Sequence, residues 1–248
     1  TGAIQVDWLS NIVTAVALVA AIYLWAQMYT SKLVTREEKN RLLGFIPMFI
    51  SGVLFFGIFQ QQFTVMTIYS DVRLDRHMFG WEIPPSLVQS INPIFIVIFS
   101  AVFATMWTKL GDRQWSTPVK FGAANIVIGI SLFFFLPYSG AAENSTPMYV
   151  IIFILFLFTM AELLLSPVGN ALATKVAPVA FPSRMMAVWM MAVAMGTSLA
   201  GSLASFYNPD DAGAENTFFI SLGVVSIVLG AILLVLSRWV VKKFSTFR

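Results

Sequence analysis

One acidic residue, Glu162, lies deep inside an apolar stretch of the sequence, between the run Tyr149–Met160 and the pair Ser166–Pro167. Burying an ionised Asp or Arg at the centre of a membrane helix costs roughly 2.5 to 3.5 kcal/mol on insertion scales, so such a residue protonates or finds a partner. Glu162 is therefore a candidate for carrying a proton or binding a cationic group. The alternative is a structural, protonated glutamate that bonds a neighbouring helix.

The residues that follow Glu162 predict a polar pair beside a hinge. Ser166 comes four residues later and so shares a helix face with Glu162. Pro167 has no backbone N–H, and its ring crowds the carbonyl of Leu163, which predicts a kink about one turn from Glu162. Prolines in membrane helices are also often purely architectural, so the kink by itself does not indicate function.

Amide side chains form two further candidate sites. Gln60, Gln61 and Gln62 are consecutive, and because successive helical residues turn by roughly 100°, they cannot all face one side. At least one is expected to face a polar cavity, unless the amides only bond between helices. Gln89 and Asn92 share a second helix face, and Pro93 interrupts that helix near its outer end.

Small residues recur every four positions in one late segment. Such a stripe lets a second helix approach closely, so we interpret it as a packing surface and not as a chemical site. Its members are Ala192, Gly196, Ala200 and Ala204.

The elements that position these residues are predicted to be transmembrane helices. Apolar residues make up 58% of the 248 residues, charged residues only 11%, and the mean hydropathy is +0.81. Runs near the roughly 20 residues needed to span a bilayer, apolar on all sides, favour helices over barrel strands. We predict an all-α membrane protein with about seven transmembrane helices, at 8–29, 42–70, 85–108, 118–137, 147–175, 184–206 and 217–240.

The placement of Lys and Arg predicts the orientation. Alternate connections hold nearly all of the basic residues, and the positive-inside rule makes that side cytoplasmic. The N-terminus of the chain is then outside and its C-terminus cytoplasmic. A polar linker at 30–41 predicts two units, an accessory helix with linker at 1–41 and a six-helix bundle at 42–248. Thr35 and Glu38 fit a capping box, which predicts a short helix leading into the second span.

Composition argues against several other classes of protein. The net charge of only +3 is spread among the turns and gives no support to nucleic-acid binding. With no cysteine and one histidine, a thiolate or histidine metal site is not expected. No constellation of nucleophile, histidine and acid indicates an enzyme. The sequence begins at Thr1 without a methionine, so we expect a fragment or a processed product.

Five collinear stretches resemble the proton-dependent oligopeptide transporter family of the major facilitator superfamily. The resemblance runs along nearly the whole chain from about residue 41. They are QSINPIFI at 89–96, STPVKF at 116–121, ELLLSPVG at 162–169, TKVAP at 174–178 and MMAVW at 185–189.

The resemblance implies the C-terminal half of a bacterial member in the plasma membrane. Its expected partners are a small peptide, the N-terminal six-helix bundle of the same transporter and the lipid bilayer, with the proton as coupling ion and no other cofactor. By position, Glu162 is similar to the family glutamate that meets the peptide amino terminus, and Asn92 to the asparagine that assists it. The other residues expected at the peptide site are Gln89, Ser166, Trp189 and Gln61.

Two departures from the family stand out. Gln61 occupies the position where the family glutamate of the second span aligns, and a glutamine cannot titrate. The Glu-x-x-Glu-Arg motif that the family carries near its start is absent from this sequence. Secondary transport of di- or tripeptides is the leading hypothesis. The second is a non-transporting subunit or receptor that assembles through the small-residue stripe.

Overall fold

The protein is almost entirely helical. A computed structural model describes residues 6–78 and 80–244, and in these residues seven helical stretches are long and apolar enough to cross a membrane. This confirms the predicted fold class. The helices are α1 (Val6–Thr30), α2 (Arg36–Phe59), α3 (Val65–Val72), α4 (Pro85–Val88), α5 (Ile91–Leu110), α6 (Thr117–Leu132), α7 (Met148–Val176), α8 (Pro182–Ala204) and α9 (Ala212–Phe244). A two-stranded antiparallel pair joins β1 (His77–Met78) to β2 (Trp81–Glu82).

The second span begins where the capping pattern predicts. The Thr35 side chain accepts a hydrogen bond from the Glu38 backbone N–H, and the Glu38 carboxylate accepts one from the Thr35 N–H at 2.7 Å. These bonds satisfy N–H groups that have no partner in the first turn of a helix. The predicted short helix is therefore the first turns of α2 itself, which starts at Arg36 and enters the span without a break.

The second and third spans are interrupted at candidate residues. The second span changes to a 3₁₀ turn at Gln60–Phe63 before it continues as α3. The third span breaks between α4 and α5, at Gln89 and Ser90. Pro93 explains the latter break, since it cannot donate a hydrogen bond to the Gln89 carbonyl four residues earlier. By contrast, α7 continues through Pro167 without a break in the helix.

Glycines bring two pairs of helices into close contact. A Cβ atom on Gly129 would lie 2.7 Å from the Gly223 carbonyl oxygen, and one on Gly122 would lie 2.9 Å from that of Gly230. Only glycine permits α6 and α9 to approach this closely. The small-residue stripe of α8 serves α2 in the same way, because a Cβ on Gly196 would lie 2.7 Å from the Val53 carbonyl oxygen.

The accessory helix α1 packs against α8. Ser198 donates a hydrogen bond to the Ser10 carbonyl at 2.5 Å, and Ser202 donates one to the Asn11 side chain at 3.1 Å. Near the other end, Arg184 donates to the Gln27 side chain at 2.9 Å. The helix is thus attached along one side of the bundle. The division into two units at residue 41 stays a prediction.

A buried ion pair joins three loops at the end of the bundle that the charge pattern predicts to face outward. Arg73, which follows α3, contacts the Glu215 carboxylate at 3.3 Å, and their side chains are 9% and 0% exposed. Arg73 also donates to the Ala141 and Pro209 carbonyls. The Gly140 N–H and the Tyr207 hydroxyl donate to the same carboxylate at 2.9 and 2.8 Å.

Candidate functional site

Asn92 is the centre of a buried hydrogen-bond network inside the bundle. Its amide nitrogen donates to the Gln62 side-chain oxygen at 2.9 Å, and its oxygen accepts a hydrogen bond from the Thr159 hydroxyl at 2.6 Å. The network thus connects the 3₁₀ turn after α2, the first turn of α5 and the middle of α7. Asn92 is the one residue of α5 that is buried in the described chain.

Glu162 lies beside this network. It follows Thr159 by three residues on α7, which puts the two side chains on one helix face. The Asn92 side chain interacts with the Glu162 carboxyl group. The Glu162 Oε2 atom is buried and, among the described residues, has no hydrogen-bond partner. The Gln62 Nε2 atom of the network is also buried and without a partner there.

These contacts decide how the site is supported. The break of the second span places Gln62 in a 3₁₀ turn, and the break of the third span places Asn92 in the first turn of α5. Half-buried Glu162, by contrast, lies within the long regular helix α7. A carboxylate within a regular helix therefore lies near two amides, and each amide is next to a break in its own span. Such an arrangement can accept hydrogen bonds from a cationic ligand or take up a proton.

Gln89 and Ser166 flank the network. The Gln89 amide donates a hydrogen bond to the Thr67 hydroxyl of α3, so it ties the break before α5 to the second span. Ser166 is half-buried one turn along α7 from Glu162. Ser166 lies on the same helix as Glu162, whereas Gln89 lies at the break before α5 and outside the helix that carries Asn92.

Trp189 and Gln61 take part in other contacts. The Trp189 ring is 1% exposed in the core, and its indole N–H donates to the Asn170 side chain at 2.9 Å. The Gln61 amide donates to the Gly57 and Ala200 carbonyls, both at 3.2 Å, which links α2 to α8. Among the described residues, neither side chain forms a hydrogen bond to the Asn92 network.

Sequence reasoning did not select Gln62 and Thr159 as site residues. Thr159 could have been found, because it lies three residues before Glu162 and so on the same face. For the glutamine run, the sequence predicted that at least one member faces a polar environment. Only the rotation of the second span identifies Gln62 as the residue that joins the network.

The described residues contain no cluster of three or more His, Asp or Glu side chains that could hold a metal ion. The charged group of this site is a single carboxylate, surrounded by amides and a hydroxyl. Such a set of groups can bind a proton or an organic cation.

Fold and site together define the class of protein. Seven membrane-length helices that enclose a polar network and a carboxylate make this a multi-pass α-helical membrane protein with a polar site inside its bundle. A model of the POT family matches residues 3–220. The chain belongs to this family, and the suspected resemblance is confirmed.

Relatives and solved structures agree with this assignment. The chain is 36% identical over 239 residues to the uncharacterized transporter YclF of Bacillus subtilis, and 35% identical over 246 residues to a di-/tripeptide transporter of Lactococcus lactis subsp. cremoris. Each alignment covers 96% of this chain and 48% of the relative. The chain therefore spans about half the length of the curated relatives it matches.

The backbone is also similar to crystal structures of the family. It superposes on the peptide transporter POT in complex with sulfate with a TM-score of 0.88 at 31% identity, covering 96% of this chain and 48% of that chain. A POT family transporter in complex with 5-aminolevulinic acid gives 0.86 at 35% identity, covering 96% and 49%.

Proposed function

We propose that this chain forms the C-terminal half of a proton-coupled secondary transporter that imports di- and tripeptides by alternating access. The observation that carries the proposal is the Glu162 carboxyl group, with one buried oxygen that has no partner among the described residues, next to Asn92. The family membership and the printed function of the Lactococcus relative support a peptide as substrate.

In this proposal Glu162 binds the amino terminus of the peptide. Attraction between a carboxylate and an ammonium group is far stronger at low effective dielectric than in water. The Asn92 amide, held by Gln62 and Thr159, orients the ligand beside the carboxylate. Among the described residues that form this site, Glu162 is the only titratable side chain, so the same group is our candidate for exchanging the amine with a proton.

A second six-helix bundle is proposed to supply the opposite wall of the site. In this chain α5 packs mainly against α7, and Asn92 is its single buried residue in the described part. The remaining α5 surface is mostly apolar and partly or fully exposed, which suits a lipid or a further helix bundle. Rocking of two bundles around a fixed central site is the usual form of alternating access.

The hypothesis of a non-transporting subunit loses its main support. It depended on a free stripe of small residues on α8, and that stripe packs against α2 within this chain. The observed contacts therefore favour a transporter over an assembly subunit.

The decisive experiment is peptide uptake by the full-length protein in vesicles with an imposed proton gradient. We expect Glu162→Gln to abolish gradient-driven uptake of a labelled dipeptide, while Glu143→Gln, which alters an exposed loop acid, leaves uptake unchanged. An N-acetylated dipeptide, which lacks the ammonium group, should compete about tenfold less well or worse than the free peptide. Unaltered uptake by Glu162→Gln would contradict the proposal.

We further propose the predicted orientation, with the C-terminus cytoplasmic, in a bacterial plasma membrane. Because the chain contains no cysteine, single cysteines can report the side of each loop. A membrane-impermeant thiol reagent applied to intact cells should label Glu143→Cys and not Asp112→Cys. Labelling of Asp112→Cys alone would reverse the orientation.

A further inference from the structure

An apolar crevice opens between α1 and α2 on the outside of the bundle. Its volume is about 360 Å³, and the lining consists only of apolar and aromatic side chains. Several of them are exposed, with Ile22 at 58%, Leu18 at 41% and Ile46 at 38%. Phe45 and Val188 form part of the floor, toward the core and α8.

The crevice extends over only part of the membrane thickness. Its lining on α1 runs from Leu18 to Trp25, which corresponds to roughly 10 Å along a helix, about a third of a hydrocarbon core. At the Trp25 end the indole N–H donates to the Leu42 carbonyl at 3.3 Å and closes the gap between the helices. That end lies next to the basic turn between α1 and α2.

A cationic group lies beyond this closed end. Tyr29 stacks on Trp25 with ring centroids 4.9 Å apart, and the Lys39 ammonium nitrogen is 5.9 Å from the centroid of the Tyr29 ring. The nearest acid in sequence, Glu38, is engaged by the Thr35 N–H and by the Val179 N–H at 2.8 Å. In the described chain no salt bridge joins Lys39 to a carboxylate.

We propose that this crevice is a binding site for an anionic phospholipid, with one acyl chain between α1 and α2 and the phosphate near Lys39. The lining contains no polar side chain to which a water-soluble ligand could form a hydrogen bond. Both helices are long and apolar enough to span a membrane, so lipid acyl chains surround the crevice. A basic residue at the membrane surface adds selectivity for negative headgroups. Apolar contact combined with one cation is the pairing that retains a lipid.

The test uses the absence of cysteine from the sequence. The variant Ile46→Cys, labelled with bimane, reports on the crevice, and Val235→Cys, 81% exposed on α9, reports on ordinary lipid-facing surface. The purified protein in detergent is titrated with brominated phosphatidylglycerol or brominated phosphatidylcholine. At position 46, we expect the anionic lipid to quench half of the bimane fluorescence at an about fivefold lower lipid fraction than the zwitterionic lipid does. At position 235, the two lipids should quench equally well.

A second variant assigns the headgroup contact. Adding Lys39→Gln to Ile46→Cys should remove the preference for phosphatidylglycerol, while quenching at saturation stays the same and the elution profile is that of the folded protein. Equal quenching by both lipids at position 46 would overturn the headgroup assignment. A probe at position 46 that neither lipid quenches would show that protein covers the crevice, and would overturn the site itself.

Discussion

Two carboxylates in this bundle have opposite surroundings. Glu215, in the first turn of α9, is 0% exposed and its two oxygens accept hydrogen bonds from Arg73, Gly140 and Tyr207. Glu162, in the middle of α7, is half-buried, and its Oε2 atom has no partner in the described chain. The two acids therefore have the same chemistry but different structural roles.

The difference indicates which acid is available for a ligand. Burying a charge costs free energy unless the charge is paired and hydrogen-bonded, and Glu215 meets both conditions. Its partners come from three loops, so the pair joins the ends of several spans. Glu162 lacks this compensation, which is the expected state of a group that exchanges a proton or binds a cation.

Removing the cation from the buried ion pair should cause the largest loss of stability. Arg73→Met leaves the Glu215 charge buried without its counterion, and such a change costs about 3 to 5 kcal/mol. The midpoint of thermal unfolding in detergent should fall strongly. The control is Glu82→Gln, which removes a half-exposed acid paired with Arg76 and should cost less than about 1 kcal/mol. Equal shifts for the two variants would mean that the buried pair adds no stability.

Removing the tyrosine hydroxyl that donates to the same carboxylate should cause a smaller loss of stability. Tyr207→Phe removes one hydrogen bond to a charged group, worth about 1.5 to 3 kcal/mol. Burial raises the pKa of the Tyr207 phenol, and the nearby Glu215 carboxylate raises this pKa further. Because the folded-state pKa is raised, the stabilisation is complete below the ordinary tyrosine value of about 10. It is lost as the pH rises through the raised pKa.

The measurement is the difference in unfolding midpoint between the unaltered protein and Tyr207→Phe, as a function of pH. This difference should be constant near neutrality and should shrink in strongly alkaline solution. A difference that is independent of pH up to the highest accessible value would contradict a role for the neutral hydroxyl.

Two adjacent glutamines of the second span have different partners. Gln61→Leu removes one bond to the Gly57 carbonyl of the same span and one to the Ala200 carbonyl of α8, both of 3.2 Å, and should cost about 1 kcal/mol in stability. Gln62→Leu removes the support of Asn92, so we expect a clear loss of peptide uptake in the full-length protein. Thermal unfolding and uptake, measured on both variants, test this. A larger uptake defect in Gln61→Leu would move the site to the other face of the second span.

The smallest effect on stability is expected at the unsatisfied acid. Glu162→Gln removes a group with no partner at Oε2. The free energy of unfolding should therefore stay within about 1 kcal/mol of that of the unaltered protein, or rise. Thermal unfolding in the same detergent measures this. A loss as large as that of Arg73→Met would show that Glu162 is a structural acid, the alternative that the sequence left open.

The sequence by itself determined the spans, their number and the start of α2. These features depend on local properties, namely the length of apolar runs and a capping box between Thr35 and Glu38. The polar character of Glu162 and its face on α7 could also be predicted, because helical periodicity relates residues three and four apart. Tertiary structure alone decided that Gln62 joins Asn92 and that Gln61 bonds α8. It also decided that Arg73 pairs with Glu215, 142 residues later in the chain. Such contacts depend on the rotation and register of packed helices, which no local pattern specifies.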